Sequence, residues 1–142
     1  AALARVAGRP EFIEMGAGPS GETGEIVTQP ELLGDIVLAR REPGGGEACS
    51  YHLAVVVDDA AQGISCVSRG NDLFFATHIQ RLLQRLLGLP APVYRHHALA
   101  VDANGKRLAK RHDALSVREL RGQGMTARQV CELAYRTGEV SR

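Results

Sequence analysis

Four cationic side chains lie within the segment Lys106–Arg111, directly after a glycine. Cations held at a fixed position stabilise the negative charge that develops when a phosphate group reacts. Upstream of this segment, Tyr51 supplies a phenol and Arg69, eighteen residues later, supplies a guanidinium. A guanidinium can bind a carboxylate through two parallel hydrogen bonds, and a phenol can donate another. These residue types predict a site for a phosphate-bearing substrate together with a small acidic one.

Each of these side chains also has a purely structural interpretation. A short basic segment can simply be a solvated surface, and a tyrosine can belong to the core. Asp58 and Asp59 are adjacent, so their carboxylates diverge, and a helix C-cap or a salt-bridged turn suits them better than a metal cage. The alternative for Arg69 is an ion pair with one of three acidic residues, Asp58, Asp59 or Asp72. Residue types alone leave these alternatives open.

The spacing of apolar residues predicts the elements that position these side chains. Thr77 to Leu87 has the helical period, with Thr77 and Gln80 as a capping box and Gly88 as the stop signal. The glycine-rich segment Gly16 to Glu25 is predicted as a surface hairpin or excursion, and Gly44 to Gly46 as a tight connection after a strand. Strands are predicted at Asp35 to Arg41, Ile64 to Arg69 and Val93 to Val101, the last closed by a turn over residues 102–105.

Two further capping boxes, Ser116 with Glu119 and Thr126 with Gln129, predict C-terminal helices that are broken at Gly122 to Gly124. Strands that alternate with helices favour an α/β fold with a parallel sheet. Ligands of such sheets bind beyond the carboxyl ends of the strands. The segment from Arg69 to Asp72 follows one predicted strand and the basic segment follows another, so both become candidate sites.

The composition of the 142 residues excludes several classes of protein. A net charge of +1 argues against a generally basic nucleic-acid binder, although Arg and Lys concentrate in residues 81–121 and acidic residues in residues 11–59. No apolar run approaches the roughly 20 residues of a membrane span, and no secretory signal is visible. The three cysteines (Cys49, Cys66, Cys131) are far apart, which favours free thiols in a reducing cytoplasm over disulfides or a zinc site.

The histidines do not form a metal-binding pattern. His96 and His97 are adjacent on a predicted strand, so they point to opposite faces of the sheet and cannot easily bind one ion. The remaining histidines, His52, His78 and His112, are scattered along the chain.

Three blocks taken together resemble the second half of the catalytic domain of class I aminoacyl-tRNA synthetases of the glutamyl type. The blocks are Tyr51 to Asp59, Val67 to Asp72 and Gly105 to His112. Within that group they are most similar to the glutamyl-Q tRNA(Asp) synthetases, which attach glutamate to queuosine, a modified base of tRNA(Asp). The composition of Tyr51 to Asp59 favours a strand, whereas the resemblance implies a helix that begins near Tyr51. We adopt the helix.

The resemblance implies a role for each candidate residue. The segment Arg107, Leu108, Ala109, Lys110, Arg111 occupies the position of the family's mobile "KMSKS" signature and would bind ATP. Lys110 takes the place of the second lysine and is the candidate catalytic residue, Arg107 replaces the first lysine, and Ala109 replaces the serine and lacks its hydroxyl. Tyr51 and Arg69 would contact glutamate, and Asp72 would face the ribose of the nucleotide.

The resemblance also implies substrates and a domain plan. Glutamate, tRNA and ATP with its Mg²⁺ are the expected partners, in a cytoplasmic protein with no membrane role, no zinc in this region and monomer as the favoured state. Residues 1–50 would form an excursion and strand region, residues 51–115 the second half of a Rossmann-like fold, and residues 116–142 C-terminal helices.

Nothing in the chain matches the family's "HIGH" motif, and the chain starts at Ala1 in what reads as a helix. We therefore expect a C-terminal piece of a catalytic domain that does not make glutamyl-adenylate by itself. The short ending after Lys110 favours the glutamyl-Q type, since an anticodon-binding domain needs on the order of a hundred residues. The alternatives are a truncated glutamyl-tRNA synthetase charging tRNA(Glu), and a non-catalytic paralogue fragment that binds RNA or a partner protein.

Overall fold

The computed structural model describes residues 2–99 and 116–139, and the chain divides into two compact units, residues 1–97 and 98–142. The first unit has, in chain order, β1 (Glu11–Glu14), β2 (Gly24–Val27), β3 (Ala39–Arg41), β4 (Glu47–Cys49), α1 (Tyr51–Ala61), β5 (Cys66–Gly70), α2 (Phe74–Leu87) and β6 (Val93–His97). Short 3-10 helices lie at Leu3–Arg5, Pro30–Leu33 and Asn71–Leu73. The second unit has α3 (Val117–Gly122) and α4 (Ala127–Glu139).

Within the described residues, four strands form one sheet in the order β2-β1-β6-β5. Strand β6 runs parallel to both of its neighbours, whereas β2 pairs antiparallel with β1. The register of β5 and β6 places Arg69 opposite His96. The predicted α/β fold with a parallel sheet is confirmed. Strands β3 and β4 form a separate antiparallel hairpin.

Helix α1 begins at Tyr51, so the helix implied by the resemblance is confirmed and the strand favoured by composition is wrong. The Ser50 hydroxyl caps the helix by accepting a hydrogen bond from the Leu53 backbone N–H at 3.4 Å. The β-branched valines at this position favour a strand, but the cap and the burial of Val56 beside Ile79 of α2 outweigh that preference.

Helix α2 begins three residues earlier than predicted, at Phe74, because the 3-10 helix Asn71–Leu73 leads directly into it. The capping box predicted for Thr77 and Gln80 is wrong: the N-cap residue is Leu73, whose side chain makes no capping bond. Thr77 and Gln80 lie inside the helix with exposed fractions of 0% and 1%. The predicted end is confirmed, since Gly88 takes the left-handed conformation with φ of 66°.

The other strands are shorter than predicted. Strand β5 covers Cys66–Gly70 where Ile64 to Arg69 is predicted, and only Ala39–Arg41 of the segment from residue 35 is a strand. Ile36 and Leu38 instead pack against the apolar cluster that Val56 forms with residues 79 and 83 of α2. Strand β6 starts at Val93 as predicted but ends at His97, and the predicted turn over residues 102–105 lies outside the described residues.

Both glycine-rich connections are confirmed. Residues 15–23 link the antiparallel strands β1 and β2, and residues 42–46 link β3 and β4 with Gly45 at φ of 87°. The core has two centres. Phe12, Phe74 and Tyr94 pack edge to face between the sheet and α2, and Val56, Ile79 and Leu83 join α2 to α1.

In the second unit, both predicted capping boxes are found at helix starts. The Ser116 hydroxyl accepts the Glu119 backbone N–H at 3.1 Å at the start of α3. Before α4, the Thr126 backbone N–H donates to Gln129 Oε1 at 2.9 Å, and the Gln129 backbone N–H donates to Thr126 Oγ1 at 3.3 Å. The predicted C-terminal helices and the break between them are confirmed.

Candidate functional site

Arg69 is the centre of a polar cluster at the carboxyl end of β5. Its Nη2 donates to Thr77 Oγ1 at 2.6 Å and to Gln80 Oε1 at 2.8 Å. Its Nε donates to His96 Nε2 at 3.1 Å, and its Cζ lies 5.4 Å from the centre of the Tyr94 ring. These contacts engage two of the three guanidinium nitrogens, so the side chain is held in one orientation.

The third nitrogen of this guanidinium, Nη1, lies 3.5 Å from the hydroxyl oxygen of Tyr51. Tyr51 begins α1 and is 51% exposed, so its interpretation as a core tyrosine is wrong. The two residues that the sequence predicts for an acidic substrate therefore lie side by side, with the open edge of the pair facing solvent. Because Nε and Nη2 already donate to protein acceptors, a ligand carboxylate would meet Nη1 and the phenol, not the full guanidinium fork.

Arg69 donates hydrogen bonds to four side chains of other elements, Tyr51, Thr77, Gln80 and His96. Asp58 and Asp59 lie in the last turn of α1. The backbone N–H of the C-cap residue, Gln62, donates to the Asp58 carbonyl oxygen. Burial raises the pKa of the Asp59 carboxyl, and the positive charge of Arg69 opposes that rise. Asp72 lies in the 3-10 helix directly after β5 and is exposed, at the same edge as Arg69. Its predicted contact with a ribose stays a prediction.

Gln80 contributes to the cluster at a cost in stability. Its side chain is almost fully buried, and its amide oxygen must face Arg69 because a guanidinium can only donate. Among residues 2–99 and 116–139, the amide nitrogen then has no hydrogen-bond partner. A buried unpaired donor lowers stability by about 1–3 kcal/mol, so this contact to Arg69 is maintained against that penalty.

Behind Arg69 lies a buried acid–base pair that residue spacing does not predict. Glu14 at the end of β1 and His96 on β6 have fully buried side chains, with Glu14 Oε2 2.5 Å from His96 Nδ1. Glu14 Oε1 accepts the backbone N–H groups of His96 and Gly16, both at 2.8 Å. One signal was available: alternation places Glu14 on the same face of a strand as Phe12, which is core.

The prediction that His96 and His97 point to opposite faces is confirmed, since His96 is buried and His97 is exposed. Burial lowers the pKa of His96, and the nearby charge of Arg69 lowers it further, while Glu14 acts in the opposite direction. The lowered pKa favours the neutral imidazole, and so does the Arg69 N–H that points at Nε2, because a doubly protonated ring has no acceptor nitrogen.

The basic segment from Lys106 to Arg111 lies outside the described residues, so the roles predicted for Arg107, Leu108, Ala109, Lys110 and Arg111 stay predictions. Within residues 2–99 and 116–139, no group of three or more His, Cys, Asp or Glu side chains is placed to hold a metal ion. No helix in this part of the chain is long and apolar enough to cross a membrane.

Comparison with known proteins gives this geometry a family context. The family model of class I tRNA synthetases (E and Q), catalytic domain, matches residues 22–140. A glutamyl-Q tRNA(Asp) synthetase of Rhodobacter capsulatus is 54% identical over 106 residues, which make up 75% of this chain and 37% of that protein. A glutamate–tRNA ligase of Synechococcus sp. (strain CC9902) is 45% identical over 102 residues, covering 70% of this chain and 21% of that protein.

The fold has a counterpart among solved structures. The crystal structure of a glutamate-tRNA synthetase from Elizabethkingia anophelis aligns with a TM-score of 0.53 and 24% identity, over 81% of this chain and 20% of that one. At this identity the likeness concerns the fold alone, and it confirms the α/β architecture expected from the resemblance. The chain spans well under half the length of each of these relatives.

Proposed function

This chain belongs to the class I tRNA synthetases (E and Q) by its catalytic-domain sequence, and on that premise we propose that it is part of a ligase that activates glutamate with ATP and transfers it to a tRNA. The observation that carries the proposal is the pairing of Arg69 with Tyr51 at the carboxyl end of β5. A fixed guanidinium nitrogen and a phenol make an exposed site for one carboxylate group.

In the proposed reaction, this site binds the side-chain carboxylate of glutamate. The α-carboxylate must stay free, because one of its oxygens attacks the α-phosphorus of ATP while the bond to pyrophosphate breaks. The negative charge that gathers on the phosphate is then stabilised by the cations of the Lys106–Arg111 segment, with Lys110 as the principal one. The glutamyl-adenylate finally transfers its acyl group to a hydroxyl of the tRNA and releases AMP.

The proposed acceptor is queuosine of tRNA(Asp). The support for this choice is the identity of 54% to a glutamyl-Q tRNA(Asp) synthetase, against 45% to a glutamate–tRNA ligase over a similar length.

The experiment uses the natural protein that contains these residues. Glutamate-dependent exchange between ATP and pyrophosphate tests the activation step. Transfer of labelled glutamate is then compared on tRNA(Asp) with queuosine, on tRNA(Asp) without it, and on tRNA(Glu). We expect glutamate-dependent ATP–pyrophosphate exchange, and transfer of glutamate only to the tRNA(Asp) that contains queuosine. Transfer to tRNA(Glu) would reassign the acceptor, and the absence of exchange would contradict the proposed function.

A further inference from the structure

The hydrogen bond between Arg69 and His96 determines which ring nitrogen of His96 carries the proton. A guanidinium N–H can only donate, so His96 Nε2, at 3.1 Å from Arg69 Nε, must accept. The proton of the neutral ring is then on Nδ1, which donates to Glu14 Oε2. The direction of every hydrogen bond from Glu14 through His96 to Arg69 is thereby defined.

Glu14 is itself held in place. Its Oε1 accepts two backbone N–H groups, from His96 and from Gly16, and its side chain has no access to solvent. The carboxylate therefore cannot rotate away from the imidazole, and the imidazole cannot turn without losing both of its partners. Neither residue reaches the open edge of the site, where Tyr51 lies.

We propose that Glu14 and His96 are a positioning pair for glutamate recognition, which holds Arg69 through Nε so that Nη1 is presented to the substrate beside Tyr51. This inference rests on the proposed function of Arg69 and adds the two residues that orient it. Thr77 and Gln80 restrain the guanidinium at Nη2, and the buried pair restrains it at Nε. The planar side chain then has a single orientation, as preorganised recognition requires.

The Glu14→Gln variant tests the pair with almost no change in shape. The amide oxygen still accepts the two backbone N–H groups, but the amide nitrogen now donates towards His96 Nδ1. The ring must then carry its proton on Nε2, where it faces another donor, Arg69 Nε. We expect the glutamate KM of the exchange reaction to rise by roughly tenfold, with the ATP KM unchanged, because an oriented hydrogen-bond donor is lost from the substrate site.

The matched control is Glu22→Gln, which makes the same chemical change in the β1–β2 connection. Glu22 accepts the Ser20 backbone N–H and does not belong to the site, so the glutamate KM should stay at its original value. A pair that only fastens β1 to β6 would behave differently: Glu14→Gln would lower the melting temperature and leave the glutamate KM unchanged. That result would overturn the proposal.

Two changes at His96 provide a second test. His96→Gln keeps an oxygen that can accept from Arg69 Nε, whereas His96→Leu fills a similar volume without an acceptor. The glutamine variant should therefore retain a lower glutamate KM than the leucine variant at matched folded fractions. Equal glutamate KM values for the two would contradict the positioning role.

The proton on the His96 ring can be observed without any substrate. Nitrogen-15 NMR of the histidine side chains should show Nδ1 protonated and Nε2 unprotonated in the original chain, and the reverse in Glu14→Gln. A proton on Nε2 in the original chain would overturn the proposal even if the enzyme is active. Conversely, a protein that shows the expected ring state but no glutamate-dependent exchange would contradict the proposed function alone.

Discussion

Arg69 Nη2 lies 2.6 Å from the hydroxyl of Thr77, which joins the end of β5 to the first turn of α2. Thr77 and Gln80 are three residues apart, so they share one face of the helix, and both accept hydrogen bonds from the same nitrogen. The Thr77 hydroxyl also lies 3.5 Å from the Leu73 carbonyl oxygen, to which it can donate while its own oxygen accepts from Arg69. Thr77 is therefore an interior residue of α2 and not its N-cap.

The Thr77→Val variant should separate this role from helix capping. It preserves the shape and leaves one Nη2 hydrogen without its acceptor, so we expect a loss of about 1–3 kcal/mol in unfolding free energy together with a several-fold higher glutamate KM. Thr126→Val is the matched control, because Thr126 does cap α4. It should cost about 1 kcal/mol of stability and leave the glutamate KM unchanged. Urea unfolding and exchange kinetics on both variants provide the comparison.

Removal of the Arg69 side chain should affect glutamate binding and not ATP binding. An unpaired substrate carboxylate costs about 2–5 kcal/mol, so Arg69→Ala should raise the glutamate KM by roughly 30-fold or more. Arg69→Lys should recover only part of this loss, because one ammonium cannot reach His96, Thr77 and the substrate together. Tyr51→Phe should lose about 0.5–1.5 kcal/mol, the value of one hydrogen bond. A destabilised Arg69→Ala protein with an unaltered glutamate KM would show that Arg69 is structural.

The basic segment should divide into residues of unequal importance. In the natural protein, Lys110→Ala should lower the rate of activation by roughly 10²-fold or more, since a positioned cation on a reacting phosphate is worth a few kcal/mol. Arg107→Ala should lower it less. Single-turnover formation of glutamyl-adenylate measures both rates. Small and equal effects of the two substitutions would show that this segment is a solvated basic surface without a role in activation.

Gly16 should tolerate no side chain. A Cβ built on it would lie 2.0 Å from the His96 carbonyl oxygen and 2.9 Å from the His96 nitrogen, both backbone atoms. Gly16→Ala must therefore push β1 away from β6, and we expect a loss of about 1–3 kcal/mol in stability. Gly44→Ala is the control, because a Cβ there meets nothing within 4 Å. It should change stability by less than about 0.5 kcal/mol. Chemical unfolding of the two variants tests the difference.

Stability should fall as the pH is lowered from about 7.5 to about 6, around the ordinary histidine pKa of about 6.5. Burial lowers the pKa of His52, His78 and His96 in the folded chain. The unfolded chain therefore binds protons first, and protonation draws the equilibrium towards it. The loss begins near the unfolded pKa and continues until the pH has passed the lowered folded values. Urea titrations across this range should show a shallower decline in His96→Gln. A free energy of unfolding that rises on acidification would contradict this expectation.

Local signals in the sequence were sufficient for much of the fold. The capping boxes at Ser116 and Thr126, the stop at Gly88 and the glycine-rich hairpins all act over a few residues, and all are found in the structure. Thr77 and Gln80 carry the same local signal and were misassigned, because their partner is the guanidinium of Arg69 on a different element.

The buried pair behind Arg69 could not be predicted for a related reason. Glu14 and His96 are 82 residues apart, and the alternation within the four-residue strand β1 places Glu14 beside Phe12 without indicating a partner for its carboxyl group. A charged residue in such a segment is more often exposed than buried. Tyr51 and Arg69 could be proposed as site residues only because their spacing resembles that of a known family. The residues that orient Arg69 lie on other elements, so only the folded structure identifies them.

The register that places Arg69 opposite His96 makes the geometry of the site depend on correct strand pairing. Successive side chains of β6 alternate between buried and exposed, so a slip of one residue would bring Arg95 or His97 inward in place of His96. Either error would also turn Tyr94 out of the apolar core and would lower the stability of the fold. Correct pairing of β5 with β6 therefore also fixes the orientation of the Arg69 guanidinium. Changes in the length of the 88–92 connection should therefore be accepted only when this pairing survives them.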